Sequence, residues 1–161
     1  MSEASKLLEK WLKAEEFTIV GKSIDRVDAI DKVTGKAKFM EDYMLPGMLY
    51  AKIVMSSEPH ARIKRVNVER ALKIPGVVKV ITAKDVTGEN QVGYALPDQP
   101  LLAEGKVRYY GEPVAIVVAE TPETAAMAAS ELNIEYEPLP AILDPLESMN
   151  RRDVLVHDEI G

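Results

Sequence analysis

The side chains able to do chemistry are few and scattered in this sequence. His60 and His157 are the only histidines. Neither has a second histidine at ligand spacing, so a metal site built on the two would need long-range assembly. Ser56-Ser57 lacks the G-x-S-x-G elbow that exposes a nucleophilic serine, and the pair reads better as turn serines. Glu135 and Glu137 project from the same side of one short extended stretch, as an acid–base pair would. On an edge strand that pattern usually marks a solvated face. Gly76, Gly88, Gly93, Gly105 and Gly111 form neither G-x-G-x-x-G nor G-x-x-x-x-G-K-[ST], so no phosphate cradle is recognisable. The densest polar patch is RVDAIDKVTG, residues 26–35, where Arg26, Asp28, Asp31 and Lys32 could form a site. Local ion pairs that fix a loop, worth about 0–1 kcal/mol each when exposed, explain it equally well.

The elements that would position these residues can be read from hydrophobic rhythm. Pro113 to Ala119 (PVAIVVA) is a short apolar run rich in β-branched residues, which suits a strand covered on both faces. Thr121-Pro122-Glu123 is a helix start: a capping hydroxyl, a proline at a first-turn position, then negative charge near the positive end of the dipole. Ala125, Ala128, Ala129 and Leu132 fall on one helix face, small enough to lie close against a sheet. Asn133 to Glu137 returns to period two, with Ile134 and Tyr136 on one side. The unit is β-α-β, its second strand nearer an edge. If both strands shared a sheet, the crossover would be right-handed.

Upstream, residues 5–15 predict an amphipathic helix with Leu7, Leu8, Trp11 and Leu12 as its stripe. Docking on its own domain is the preferred reading and a partner-facing helix the sharper one. Residues 21–47 are turn-rich and charged. Strands are expected at 48–54, 62–68 and 77–81. Short helical turns are expected at 68–73, with Asn67 as cap, and at 83–86. Residues 87–105 form a long, weakly structured connection, and such loops usually serve function or an interface. A last helical turn is expected after residue 143.

Composition narrows the classes. At 161 residues and 47% hydrophobic, the chain can build one real core. Its formal net charge of −6 and lack of a basic block argue against nucleic acid as the main partner. No apolar run is long enough to span a membrane. The charged N-terminus lacks the apolar centre of a signal peptide, so a cytoplasmic location is expected. Cysteine is absent, which removes disulfides, thiolate zinc sites, thiolate-held iron–sulfur clusters and any cysteine nucleophile.

Six segments, taken in order, carry a resemblance. They are RVDAIDKVTGKAKF (26–39), LPGMLYAKIV (45–54), HARIKRV (60–66), ALKIPGVVKVITAKDV (71–86), PLL followed by VRYYGEPVAIVVAET (100–121), and AASELNIEYEPLPAILDP (128–145). Together they resemble the molybdenum hydroxylase family of xanthine dehydrogenases, aldehyde oxidoreductases and carbon monoxide dehydrogenases, in the α/β-hammerhead domain at the start of the large subunit. The resemblance departs at Met55-Ser56-Ser57-Glu58-Pro59, where the family usually has an Arg-Ser-Pro-like segment. It departs again at Glu112, where many members carry Gln.

The resemblance implies an α+β fold, an α/β-hammerhead with a mixed β-sheet and packed helices, including the β-α-β unit. It also implies an N-terminal helical extension (1–19), the hammerhead domain (20–150) and a C-terminal tail (151–161). The implied function is a structural and assembly role in the molybdenum-binding subunit of a hydroxylating oxidoreductase. The chain alone would be inactive, with no catalytic, cofactor or metal residues of its own. The complete complex would carry a molybdenum-pterin cofactor, iron–sulfur clusters and FAD. The implied partners are the remaining large-subunit domains, as a separate chain, and iron–sulfur and flavin subunits. A free-standing hammerhead serving as a binding or scaffold module is the alternative. An independent hydrolase or transferase lacks a nucleophile–base set. The candidate partner surface combines Arg26, Asp28 and Lys32 with Tyr94, Leu96, Leu101 and Leu102. An apolar rim would favour the subunit reading, and a fully polar surface the free-standing module.

Overall fold

The computed structural model describes residues 3–12, 19–93 and 95–158, with the side chains of Lys10 and Leu12 excepted. The chain divides into two compact units, Met1–Leu45 and Pro46–Gly161. In the first, α1 (Glu3–Leu12) carries Leu7, Leu8 and Trp11, all more than half exposed. The expected helix thus forms, but these three residues do not lie buried in a core. Its expected end, 13–15, lies outside the described residues. Within the stretch expected to be turns, α2 (Ala29–Val33) forms a short helix. Its C-cap Thr34 returns its hydroxyl to the Ile30 carbonyl at 2.6 Å.

The second unit is organised around one strand. It contains β1 (Tyr50–Met55), β2 (Ala61–Asn67), α3 (Glu69–Leu72), β3 (Val77–Thr82) and β4 (Lys106–Val107). These are followed by β5 (Pro113–Ala119), α4 (Pro122–Ser130), β6 (Asn133–Pro138) and α5 (Pro145–Ser148). The apolar run PVAIVVA is β5, the middle strand of a sheet ordered β1-β5-β3. Along one face of it, Ala115 and Val117 meet Val80, Ala71 of α3 and Ala128 of α4, all buried. On the opposite face Val114 joins Ala61, Ala103 and Val107 in a second core shared with the other sheet, ordered β4-β2-β6. The alternation explains why the run has no polar face: both sides are occupied.

Strand pairing corrects one expectation. The ladders among the described residues are all antiparallel, and β5 and β6 lie in different sheets. The β-α-β order is therefore present without a crossover inside one mixed sheet, and the handedness rule does not apply. The reason is that β1 and β3 already occupy both edges of β5. The strand leaving α4 must pair elsewhere, and it takes β2. There it is an edge strand, with Ile134 and Tyr136 half-buried and Glu135 and Glu137 exposed, as the alternation predicts.

Local signals place the short elements. The Thr121 hydroxyl accepts the Thr124 N–H at 3.1 Å and so caps α4. Asn67 accepts the Glu69 N–H at 3.2 Å at the start of α3. The chain then turns through Gly76, at φ +86°, a conformation that L side chains resist. In β1 the inward face is that of Tyr50 and Val54, while Ala51 and Ile53 face out.

Ala128 has no solvent exposure and Ala129 packs at the margin of the same cluster. Overpacking therefore predicts that Ala128→Leu lowers stability by about 1–3 kcal/mol. Ala129→Leu should cost less. Urea unfolding checks the order, and equal midpoints for Ala128→Leu and wild type would show that the helix does not press on the sheet.

Candidate functional site

The densest buried polar group in the second unit is the corner between β4 and β5, where β1 also ends. The chain reverses over Tyr109-Tyr110-Gly111-Glu112, with Gly111 at φ +87°. The Glu112 N–H donates to the Tyr109 carbonyl at 3.2 Å. Residue 56 clamps the turn from outside: Ser56 N–H donates to the Glu112 carbonyl at 2.8 Å, and Gly111 N–H donates to the Ser56 carbonyl at 2.9 Å. This folds the Glu112 side chain back onto Arg108, whose backbone N–H donates to Oε2 and whose guanidinium lies 3.4 Å from Oε1. Glu112 is 1% exposed. A carboxylate at that depth is held only because a backbone N–H and a cation meet it.

The neighbouring groups are also committed. The Ser56 hydroxyl donates to the Glu58 carbonyl at 2.8 Å and accepts the Glu58 N–H at 3.0 Å, as a turn serine does. Burial pushes the Tyr136 phenol above its ordinary value, and the Glu58 and Glu112 charges add to this while Ser56 opposes it. His60 Nδ1 lies 2.6 Å from the Pro140 carbonyl, so Nδ1 carries the proton and donates. His60 Nε2 is buried without a hydrogen-bond partner among the described residues.

This arrangement locks a corner. No hydrogen bond joins Ser56 to His60, and Glu112 is spent on Arg108, so a nucleophile–base–carboxylate relay is not assembled. Among the described residues no three His, Cys, Asp or Glu converge as a metal site. The positive-φ glycines stand singly at separate turns and never form a run of N–H groups. A pterin cofactor's phosphates favour such a cradle, and the described glycines do not supply one. A hollow of about 580 Å³ opens beside the two sheets, walled by Ile63, Val66, Ala103 and Val114. Its polar lining is Lys64, Arg65, Lys84, Thr82 and Glu104, which offers no acid–base pair fixed in place.

The residues expected to form a partner surface fall into both units. Lys32 Nζ pairs with Asp28 at 2.6 Å and Arg26 Nε pairs with it at 3.1 Å. Lys32 first and Arg26 second hold the Asp28 carboxyl below its ordinary range, so the patch is the local ion-pair cluster that its composition allowed. Leu96 and Leu101 are exposed. Tyr94 lies outside the described residues. Leu102 is a correction: at 3% exposure it belongs to the domain's own interior. Asn90 fixes it there, donating to the Leu102 carbonyl at 2.8 Å and accepting its N–H at 3.1 Å. Sequence reading missed this clasp because an asparagine's partner twelve residues away leaves no periodic trace. It also read Glu112 only as a departure from Gln. The i, i+4 spacing of Arg108 and Glu112 across a glycine turn was the available signal. Glu137 pairs with Lys64 at 2.7 Å on the solvated face.

Two antiparallel sheets joined through one central strand, with a small-residue helix on the outer face, define an α+β domain. The chain belongs to the aldehyde oxidase and xanthine dehydrogenase a/b hammerhead domain family, whose model matches residues 34–140. It is 42% identical over 134 residues to a probable xanthine dehydrogenase subunit of Bacillus subtilis, covering 83% of this chain and 18% of that protein. It is 36% identical over 153 residues to the carbon monoxide dehydrogenase large chain of Afipia carboxidovorans, covering 92% and 19% respectively. Among solved structures, the fold superposes on a Cu,Mo-CO dehydrogenase with a TM-score of 0.79 at 36% identity, over 88% of this chain and 18% of that one. The aldehyde oxidoreductase of Desulfovibrio gigas gives 0.79 at 31% identity, over 86% and 16%. The chain thus spans about a fifth of these relatives' length and corresponds to the hammerhead portion of molybdenum hydroxylase large subunits.

Removing one member of a buried ion pair typically costs about 3–5 kcal/mol, and Glu112→Ala should do so. Glu112→Gln keeps an acceptor for the Arg108 N–H and should cost no more than about 1–3 kcal/mol. Chemical denaturation of both variants tests this. Equal losses would show that the charge, not the acceptor, sets the corner.

Proposed function

We propose that this chain is the hammerhead piece of the molybdenum-binding subunit of an aldehyde, xanthine or carbon monoxide type oxidoreductase. It shapes and assembles the subunit and supplies no catalytic group. The observation that carries this reading is the surface of the second unit, where Leu96, Leu101, Tyr110, Leu143, Leu146 and Met149 are all exposed. Large apolar side chains in that number mark a surface meant to be covered. A free-standing module would close over its own core with a polar exterior.

The cofactor chemistry then belongs to other domains, which would hold the molybdenum-pterin group. Iron–sulfur and flavin subunits would carry the electrons away, and the assembly would work in the cytoplasm. No described helix is long and apolar enough to cross a membrane. The N-terminal segment 1–19 acts in this reading as an extension, and 151–161 as a C-terminal tail that returns to the domain at Asp158, where it meets Lys106. Arg26, Asp28, Lys32, Tyr94, Leu96 and Leu101 remain the proposed contact residues.

Two experiments test the proposal. Purified alone, the chain should hold no stoichiometric molybdenum by metal analysis and should not oxidise aldehydes or purines with an artificial electron acceptor. Either activity or bound metal would overturn the non-catalytic role. Native purification from the source cell should bring down a chain whose own sequence carries the remaining large-subunit domains. Leu101→Asp should leave the domain folded and weaken that capture by at least about tenfold, as loss of an interface anchor does. Unchanged capture by the folded variant would exclude this face.

A further inference from the structure

The pairing of β2 with β4 sets Arg62 directly opposite Lys106, and Arg108 follows two residues further along. Like charges directly opposite on neighbouring strands repel, so a ladder that places them there needs an anion close by. All three cations line one hollow of about 380 Å³, together with Glu104 and Asp158. Two of them are held rather than flexible: the Lys106 and Arg108 side chains are each 12% exposed. Arg108 is matched by the buried Glu112. Lys106 Nζ meets Asp158 Oδ1 at 2.5 Å. Arg62 lies on the exposed side, across the other ladder from Glu137, whose carboxylate is bonded to Lys64 and feels the Arg62 charge only as a lesser contribution.

The two halves of the Lys106–Asp158 contact differ in kind. The cation is fixed by the sheet and by burial, whereas the carboxylate arrives from 52 residues further along the chain and is 63% exposed. With its carboxylate open to solvent, the pair can exchange for another anion. The net charge of −6 means that this cation cluster does not follow from a generally basic surface. The exposed Arg62 fork beside a lysine point charge matches a compact oxyanion, and Arg108, bonded to Glu112 and to the Lys106 carbonyl, adds its charge from behind. The exposed Glu104 at its rim opposes binding and limits its strength. We propose that Arg62, Lys106 and Arg108 form a binding site for a compact oxyanion, a phosphate or the carboxylate of an acidic segment, with Asp158 as the chain's own displaceable occupant. The proposal stands independently of the subunit assignment.

Titration of the full chain with inorganic phosphate at constant ionic strength, followed by amide chemical shifts, tests this. Asp158→Asn should lower the dissociation constant about fivefold, the equivalent of removing one competing exposed ion pair. Adding Arg62→Gln to that variant should reverse the gain, and Arg62 is exposed, so the core is untouched. A tetraglutamate peptide in the same titration identifies the source. Tighter peptide binding assigns the site to protein carboxylates, and tighter phosphate binding assigns it to a free oxyanion. Affinity unchanged by Asp158→Asn, unchanged by Arg62→Gln, or absent for both ligands would overturn the proposal.

Discussion

Everything in the Pro46–Gly161 unit depends on the two-sided burial of β5. Its edges carry β1 and β3, and its faces carry two different cores. A strand so enclosed has no solvent side on which a polar residue would be tolerated, which is why Pro113–Ala119 contains none. The same enclosure sends β6 to the other sheet, because no edge is left for it. One strand therefore decides both the packing of α4 and the existence of a second sheet.

The cost of this arrangement falls at the strand's beginning. Pro113 follows a reversal that must bring β4, in one sheet, next to β5, in the other. The corner is closed by Ser56, Gly111, Glu112 and Arg108 through backbone bonds and one buried ion pair. Hydrogen bonds of this kind define geometry more sharply than apolar contacts do, since an unmet carboxylate at that depth is severely destabilising. The buried polar chemistry of the domain is therefore architectural. Residues that resemble catalytic types, a serine, a histidine and a glutamate, are each held by a structural partner.

The relatives are several times longer than this chain, and the matched portion contains no assembled reaction centre in the described residues. What the second unit does present is apolar area outside its core, in Leu96, Leu101, Tyr110 and the Leu143–Met149 stretch. A domain whose interior is complete but whose exterior is partly apolar is well suited to being one component of a larger body.

Much of the fold was legible from residues alone, and the reason is local. The apolar run of β5, the Thr121-Pro122 helix start, the alternation of Ile134 and Tyr136 and the Asn67 cap each depend on neighbours within a few positions. Side-chain periodicity and capping record such neighbours directly. The structural reading of Ser56, of Glu135 and Glu137, and of the Arg26–Asp28–Lys32 cluster was available for the same reason. Three features were not legible: the assignment of β5 and β6 to separate sheets, the burial of Leu102 under the Asn90 clasp, and the Glu112–Arg108 lock closed by Ser56. Each joins segments far apart along the chain or depends on which edge of a strand is already taken. The sequence by itself determined most of the strands and helices of the second unit and the faces that β5, α4 and β6 bury. Only the tertiary structure decided which strands pair and which polar groups are enclosed, because pairing and enclosure are properties of neighbours that the chain order does not name.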